Sequence, residues 1–263
     1  MAMPLIILLV QVIFLYMLGG DAGRWGLLGI FLGLGVTYSV LSFKSPRGLT
    51  LPKEPLSWLV GRVNKMAERG GVREISLKIL DDYIPTAFSY GKTVVLSLGL
   101  FEILDGDEIL AVAAHEIGHI KNRDTLLFPL LMYGRYASIL MTLIAFLLVR
   151  SPLLDSFFAL MTVGYELWRS SYMREREFKA DETALWLVEN PLSLKRALEE
   201  LKYYEDLRKE VYSWTFPSLS PSLERPERTK TGFFMNSHPS YEERILRIIR
   251  EIEAIEIARR MVN

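Results

Sequence analysis

Five consecutive residues of this chain have the types and spacing of a metal-dependent hydrolase: His115, Glu116, Ile117, Gly118 and His119. They form the pattern HExxH inside an apolar run that predicts a helix. Histidines four positions apart lie on one face of a helix, so both rings can bind one metal ion. The Glu116 carboxylate can then reach a water molecule on that ion. The pattern therefore predicts a zinc hydrolase.

The alternative is that His115 and His119 are ordinary core histidines of a buried helix. The chain contains only three histidines, and two of them in this pattern argue against that alternative. There is no cysteine, which excludes a disulfide framework and a thiolate metal site. Histidine and carboxylate must then hold the metal, and this donor set favours zinc over other divalent ions. The formal net charge of zero gives no field that would attract nucleic acid.

A metal held by two histidines needs a third protein ligand. One class of zinc peptidases continues HExxH with a glycine and a third histidine, but Asn122 and Thr125 occupy those positions, which excludes the class. The remaining candidates are Glu177 and Asp181, four positions apart in the charged run REREFKAD. One of them can bind zinc while the other orients a ligand histidine through its free ring nitrogen. The alternative is an exposed, charged helix start.

The composition points to membrane segments. Hydrophobic residues make up 50% of the chain and the mean hydropathy is +0.20, which is unusual for a soluble domain. Apolar runs of helical length occupy residues 4–20, 25–43, 126–149 and 152–168. Only tight turns fit between the first two and the last two, so the runs predict two transmembrane helical hairpins. Basic residues concentrate outside the hairpin turns, which places the long segments in the cytoplasm.

Two alternatives remain for these runs. A cleaved signal peptide would need a positively charged start, and residues 1–3 carry no charge. The second hairpin contains Arg135, Asp155 and Glu166, so a pair of helices buried in a soluble core is the other alternative. Arg135 and Glu166 lie equally far from the turn, at one depth of an antiparallel pair. We expect them to form an ion pair, because an unpaired charge inside a bilayer is costly.

These patterns divide the chain into four parts. The first hairpin occupies residues 1–43 and the second occupies residues 126–168. Residues 44–125 form a cytosolic catalytic part with the HExxH helix, and residues 169–263 form a second one with the third ligand and a tail helix. The expected fold class is mainly α with a small β-sheet, in an integral membrane protein.

Local patterns predict the elements of the two catalytic parts. The first part has an amphipathic helix, a small sheet and the HExxH helix, which begins with an Asp105 and Glu108 capping box. The second part has a helix, a long loop over residues 215–237 and a tail helix that Ser240 and Glu243 cap. The loop is either a mobile lid or a passive linker.

The order of three motifs resembles one known family. HEIGHIKNRD is followed by REFKAD and then by SHPSYEERI, as in the HtpX-type membrane zinc endopeptidases, which are relatives of the CAAX prenyl proteases. The resemblance covers both hairpins and most of the chain. It implies a gluzincin-like fold with one zinc ion per chain, bound by His115, His119 and Glu177. It also implies that Glu116 is the general base and that Asp181 orients a ligand.

The resemblance also implies roles for residues outside the zinc ligands. His238 and Arg244 match residues that stabilise the oxyanion or position substrate in related enzymes. The alternative is a loop histidine and an arginine on a solvated helix face. Asp124 matches an acidic residue that follows HExxH and supports the site, with a structural role at the helix end as the alternative.

Thr86, Ala87 and Phe88 align with the edge-strand motif of the same family. An extended substrate can add to such a strand through backbone hydrogen bonds. Thr86 replaces the asparagine that is usual in the family. The resemblance therefore implies a role for the backbone at this position.

The expected function is that of a multi-pass membrane zinc endopeptidase whose catalytic part faces the cytoplasm. Its expected partners are the lipid bilayer and an unfolded or membrane-protein substrate, and it would cleave cytosolic segments of misfolded membrane proteins. One alternative is a CAAX-type prenyl-peptide protease, although those relatives enclose a chamber within more spans. The other is a non-catalytic membrane zinc-binding adaptor, which would have no need of Glu116.

Overall fold

A computed structural model describes residues 2–42, 49–51, 56–214 and 239–262 of the chain. These residues are mainly helical and contain a small mixed sheet, as predicted. The helices are α1 Ala2–Leu18, α2 Gly20–Ser42, α3 Ser57–Arg69, α4 Leu98–Ile103, α5 Gly106–Lys121, α6 Asp124–Leu148, α7 Pro152–Leu187, α8 Leu192–Trp214 and α9 Tyr241–Val262. The strands are β1 Leu49–Thr50, β2 Ser76–Leu80, β3 Ala87–Tyr90 and β4 Thr93–Ser97.

The chain divides into two compact units. The helical unit contains the described residues within 1–47 and 126–174. The sheet unit contains those within 48–125, 175–232 and 238–263. Helices α6 and α7 contribute residues to both units.

The turn between α1 and α2 differs from the predicted one. The two helices are separated at Gly19, and Gly20 has a φ of +56°, a conformation that glycine adopts without strain. The prediction that residues 21–24 form the turn is therefore wrong. Asp21 and Arg24 instead lie in the first turns of α2, where they form an ion pair of 3.0 Å.

The helical unit has polar groups inside and large apolar groups outside. Gln11, Ser138, Glu166 and Arg169 are buried, beside an apolar cluster of α1, α2, α6 and α7. The exposed side chains include Leu9, Trp25, Leu32, Leu147 and Leu153. In water this arrangement would be unfavourable, because large apolar side chains would contact solvent. In a lipid bilayer it would be favourable, because the apolar side chains would contact lipid and the polar ones would face the interior.

An ion pair joins α6 to α7 in the helical unit. Arg135 Nε lies 3.3 Å from Glu166 Oε2, which confirms the predicted pair. Arg169, which was not predicted to take part, holds the same carboxylate with both Nε and Nη2, at 3.1 and 2.5 Å.

Among the described helices, α6 is the one that is both long and apolar enough to cross a bilayer. The apolar part of α1, Met3–Leu18, is shorter. Helix α7 has 36 residues and continues past residue 168, where the fourth apolar run was predicted to end. The helix continues because no glycine or proline interrupts residues 165–187. The two transmembrane hairpins remain a prediction.

The sheet unit is built on a four-stranded sheet with the order β1-β2-β4-β3. Strands β2 and β4 are parallel, while β1 and β3 pair antiparallel with their neighbours, so β3 lies at an edge. The small sheet was predicted, whereas strand β1 and helix α4 were not. Helix α5 packs on β3 and β4 and against α3 and α8. The core of the unit therefore surrounds the helix that carries HExxH.

Both predicted helix caps are confirmed. Asp105 Oδ1 accepts a hydrogen bond of 2.8 Å from the Glu108 backbone N–H, and Glu108 Oε2 accepts one of 2.9 Å from the Asp105 N–H. Ser240 and Glu243 make the same reciprocal contacts at the start of α9. Helix α9 contributes Ile248 and Ile252 to the core of the sheet unit. The loop predicted at residues 215–237 lies outside the described residues.

Candidate metal centre

Three side chains from two helices bring their ligand atoms together. His115 and His119 lie one turn apart on α5, and Glu177 lies on α7. Nε2 of His115 is 3.1 Å from Nε2 of His119, and these nitrogens lie 3.6 and 3.5 Å from the two Glu177 oxygens. Tetrahedral zinc, with bonds of about 2.0–2.1 Å, separates its ligand atoms by about 3.3 Å. The three side chains, all buried, match that separation.

The second ring nitrogen of each histidine faces a carboxylate. His115 Nδ1 lies 2.8 Å from Asp181 Oδ1, and His119 Nδ1 lies 2.9 Å from Asp124 Oδ2. When each Nδ1–H donates to its carboxylate, the two Nε2 atoms turn their lone pairs toward each other. Two lone pairs at 3.1 Å repel unless a metal ion or a proton lies between them. This donor set fits a metal ion.

The surrounding charges set the ionisation of His115 and Asp181. Burial and the Arg244 guanidinium lower the pKa of His115, but the hydrogen bond and charge of Asp181, together with Glu177, outweigh them and raise it to about 9. At pH 7 a metal ion must therefore displace a proton from this ring, because only neutral imidazole binds metal. Burial raises the pKa of Asp181, but Arg244 and His115 lower it on balance, so the carboxylate is ionised.

Arg244 reaches the site from the first turn of α9. Its Nε and Nη2 donate to the two oxygens of Asp181 at 2.8 and 2.6 Å. Nη2 also lies 3.3 Å from His115 Nδ1, and Nη1 lies 4.0 Å from Glu177 Oε2. The alternative of a solvated helix face is therefore wrong for Arg244. His238 lies outside the described residues.

Asp124 links the end of α5 to α7. The chain leaves α5 through Arg123, whose φ of +62° is unusual for a side chain with a Cβ and turns Asp124 back toward His119. Asp124 is fully buried, and its Oδ1 accepts a hydrogen bond of 2.6 Å from Arg176 Nε. Arg176 Nη2 also donates to the Asn122 carbonyl at 2.6 Å. Asp124 thus contacts a proposed ligand and stabilises the helix end at the same time.

Arg176 and Gly118 have roles at this site that were not predicted from the sequence. Nothing in the run REREFKAD distinguishes Arg176 from its charged neighbours. Gly118 did carry a signal, because a glycine inside a helix costs about 1 kcal/mol relative to alanine. A Cβ at Gly118 would lie 2.9 Å from the Cα and carbonyl oxygen of Ala180. The backbones of α5 and α7 therefore touch at this glycine, which brings Glu177 within reach of the histidines.

The carboxylate of Glu116 is buried but unengaged. The residue is 6% exposed. Among the described residues, none forms a hydrogen bond or an ion pair with its side chain. A carboxylate that is free, and that sits beside His115 in the chain, can accept a proton.

The predicted substrate residues lie at the edge of the sheet. Thr86 directly precedes β3, while Ala87 and Phe88 belong to it. Thr86 N–H donates to Ser97 Oγ at 2.8 Å, and Thr86 O accepts from Ser97 N–H at 2.9 Å. The backbone of Thr86 is thus used within the sheet.

Comparison with known proteins agrees with this geometry. A model of the family described as Peptidase family M48 matches residues 55–252. The chain belongs to peptidase family M48. It is a metallopeptidase, and His115, His119 and Glu177 form the one cluster in its described part that could hold a metal ion.

Three proteins that are similar to this M48 peptidase are each called Protease HtpX homolog. The one from Persephonella marina is 26% identical over 93% of this chain and 91% of its own length. The one from Thermoanaerobacter pseudethanolicus is 27% identical over 86% and 85%, and the one from Methanopyrus kandleri is 29% identical over 73% and 66%. The resemblance to the HtpX-type family is confirmed.

Proposed function

We propose that this M48 peptidase is a zinc-dependent endopeptidase that binds one zinc ion through His115, His119 and Glu177. One observation carries the proposal. The three ligand atoms lie within 4.8 Å of one another, and the residue that follows His115, Glu116, has a buried carboxylate that makes no hydrogen bond or ion pair among the described residues. A purely structural metal site has no use for a free buried carboxylate at this position.

The residues of the site have distinct tasks in peptide hydrolysis. When bound, zinc acidifies a water molecule and polarises the scissile carbonyl. Glu116 accepts a proton from the attacking water and later gives it to the leaving amine nitrogen. Asp181 and Asp124 hold the two histidine rings through Nδ1, and Arg244 holds Asp181 in turn. His238 remains predicted to stabilise the oxyanion or to position substrate.

We further propose that substrate binds as an extra strand beside β3. Thr86 and Ser97 form a hydrogen-bonded position, and such positions alternate along an antiparallel pair. Ala87 and Ser89 therefore direct their N–H and C=O groups away from β4, toward the open edge. An extended peptide could pair with these groups whatever its sequence.

The replacement Ser89→Pro tests the added strand. Proline removes the outward N–H of residue 89 and does not touch the hydrogen bonds to β4. We expect kcat/KM for an unfolded substrate to fall about tenfold, because one hydrogen bond contributes about 1 kcal/mol and the proline ring also obstructs the edge. Zinc content should not change.

The matched control is Ser89→Ala, which alters the side chain and keeps the N–H. It should cleave at the rate of the unaltered chain. If Ser89→Pro also retains that rate while both variants hold zinc, substrate does not pair with β3.

The substrates that we propose are cytosolic segments of membrane proteins, especially misfolded ones. The support for a multi-pass membrane location is the apolar exterior and polar interior of the helical unit, together with the candidate span α6. The sheet unit is continuous in sequence with α6 and α7. An active site tethered in this way meets membrane-protein substrates at high effective concentration.

Reconstituted proteoliposomes provide the test of substrate class. The peptidase is combined with a membrane protein whose cytosolic domain is destabilised, with the stable parent of that protein, and with a prenylated peptide. We expect cleavage of the destabilised protein alone. Equal cleavage of the stable parent would contradict selection for unfolded segments, and preference for the prenylated peptide would favour a CAAX-type activity.

A further inference from the structure

Arg135 carries a positive charge that its protein partner does not neutralise. Both oxygens of Glu166 are held by Arg169, at 3.1 and 2.5 Å. Arg135 approaches the same carboxylate only through Nε, at 3.3 Å. Among the described residues it donates no hydrogen bond. Two guanidinium groups thus share one carboxylate, and the cluster has a net charge of +1.

The spare charge is accessible from one side. The Arg135 side chain is 38% exposed, compared with 3% for Arg169. Arg135, Ile139 and Leu143 follow one another at four-residue intervals on α6, so they share a helix face. Ile139 is 37% exposed and Leu143 is 54% exposed. This exposed face of α6 therefore carries the Arg135 guanidinium, followed toward the C-terminus of the helix by the apolar side chains of Ile139 and Leu143.

The direction of the side chain suits a membrane surface. In the multi-pass placement proposed above, the apolar core of the bilayer is about 30 Å thick and its far side lies at Leu148. At about 1.5 Å per helical residue, Arg135 then lies about 10 Å below the cytosolic surface of that core. Side chains of a helix lean toward its N-terminus, and the N-terminus of α6 is the cytosolic end. Arg135 can thus extend along the helix toward the headgroups.

Aromatic side chains lie near Arg135 and on its cytosolic side. Tyr133 and Tyr136 flank Arg135 in the sequence, and the ring of Tyr133 meets that of Tyr38 edge-on, with centroids 5.5 Å apart. On α7, Trp168 stacks on Tyr172 at 4.8 Å. Tyrosine and tryptophan concentrate at the boundary between lipid tails and headgroups.

We infer that Arg135 is a binding site for the phosphodiester of an anionic phospholipid, whose acyl chain lies along Ile139 and Leu143. Guanidinium donors in a planar fork match phosphate oxygens. An anionic lipid also neutralises the net positive charge of Arg135, Glu166 and Arg169. A zwitterionic lipid does not, because its headgroup carries a positive charge of its own. This inference rests on the proposed membrane location and is independent of the proposed peptidase chemistry.

Native mass spectrometry of the full chain in detergent tests the site. The chain is titrated with phosphatidylglycerol or with phosphatidylcholine of the same acyl chains. We expect phosphatidylglycerol to bind at least tenfold more tightly. The variant Arg135→Gln should lose this preference, while the control Arg150→Gln, at the exposed far turn, should bind within twofold of the unaltered chain.

Each of the following outcomes would overturn the inference. The first is that the two lipids bind the unaltered chain equally well, a comparison that does not depend on the folding of a variant. The second is that Arg135→Gln has an unchanged melting temperature and still prefers phosphatidylglycerol. The third is that inorganic phosphate at millimolar concentration displaces the lipid, which would show that the site binds free anions. Carbonate extraction of native membranes is the separate check: release of the chain by carbonate would refute the membrane location itself.

Discussion

Replacing Glu116 with glutamine is expected to lower kcat by about 10²–10⁴-fold, the contribution typical of a general base. Glutamine has nearly the same shape but cannot accept the proton of the attacking water. Because Glu116 makes no hydrogen bond or ion pair among the described residues, its replacement breaks no contact that supports the zinc ligands. Zinc content and thermal stability should therefore stay at the level of the unaltered chain.

The measurement compares the two proteins in the same detergent, with zinc determined by elemental mass spectrometry and cleavage followed on an unfolded membrane protein. Glu102→Gln, on the exposed surface of α4, is the matched control and should behave like the unaltered chain. Full activity of Glu116→Gln would assign the base to another group. Loss of zinc from this variant would show that Glu116 supports the metal site.

The second large effect is expected from Gly118→Ala, although it adds only one methyl group. The new Cβ would lie 2.9 Å from two backbone atoms of Ala180, which cannot move without displacing α7. A clash of this kind costs about 1–3 kcal/mol of stability. Glu177 and Asp181 move with α7, and a displacement of about 1 Å in a catalytic site costs about 100-fold in rate. We also expect weaker zinc binding.

Gly61→Ala is the matched control for this substitution. Gly61 lies in α3 of the same unit, and a Cβ there meets nothing within 4 Å. Alanine at an open helical position stabilises by about 0.5–1 kcal/mol, so this variant should melt higher and keep its activity. If Gly118→Ala melts and cleaves like Gly61→Ala, the close approach of α5 and α7 is not what positions the third ligand.

Features that depend on neighbours in the sequence were predictable. The spacing of His115 and His119 follows from the helical repeat, and the caps at Asp105 and Ser240 follow from side chains that reach only a few residues. The pairing of Arg135 with Glu166 was also predictable, because a tight turn fixes which residues of two antiparallel helices face each other. The predicted turn at residues 21–24 was wrong because glycine at position 20 permits an earlier one.

The residues that support the metal site were decided by tertiary structure. By spacing alone, Glu177 and Asp181 were equivalent candidates for the third ligand. Their distances differ because the packing of α7 on α5 directs Glu177 toward the Nε2 atoms and Asp181 toward Nδ1 of His115. The contact of Arg176 with Asp124 joins residues 52 positions apart, a distance that no local pattern encodes.

The sequence by itself determined that the protein has a helix with the HExxH pattern, a small sheet and apolar helices, because these follow from short-range periodicity and composition. Only the tertiary structure decided that Arg244 holds Asp181 and that Gly118 lets two helices touch. The physical reason is that hydrogen-bond geometry and backbone approach depend on how whole helices pack, and packing is a property of residues that are distant in the chain.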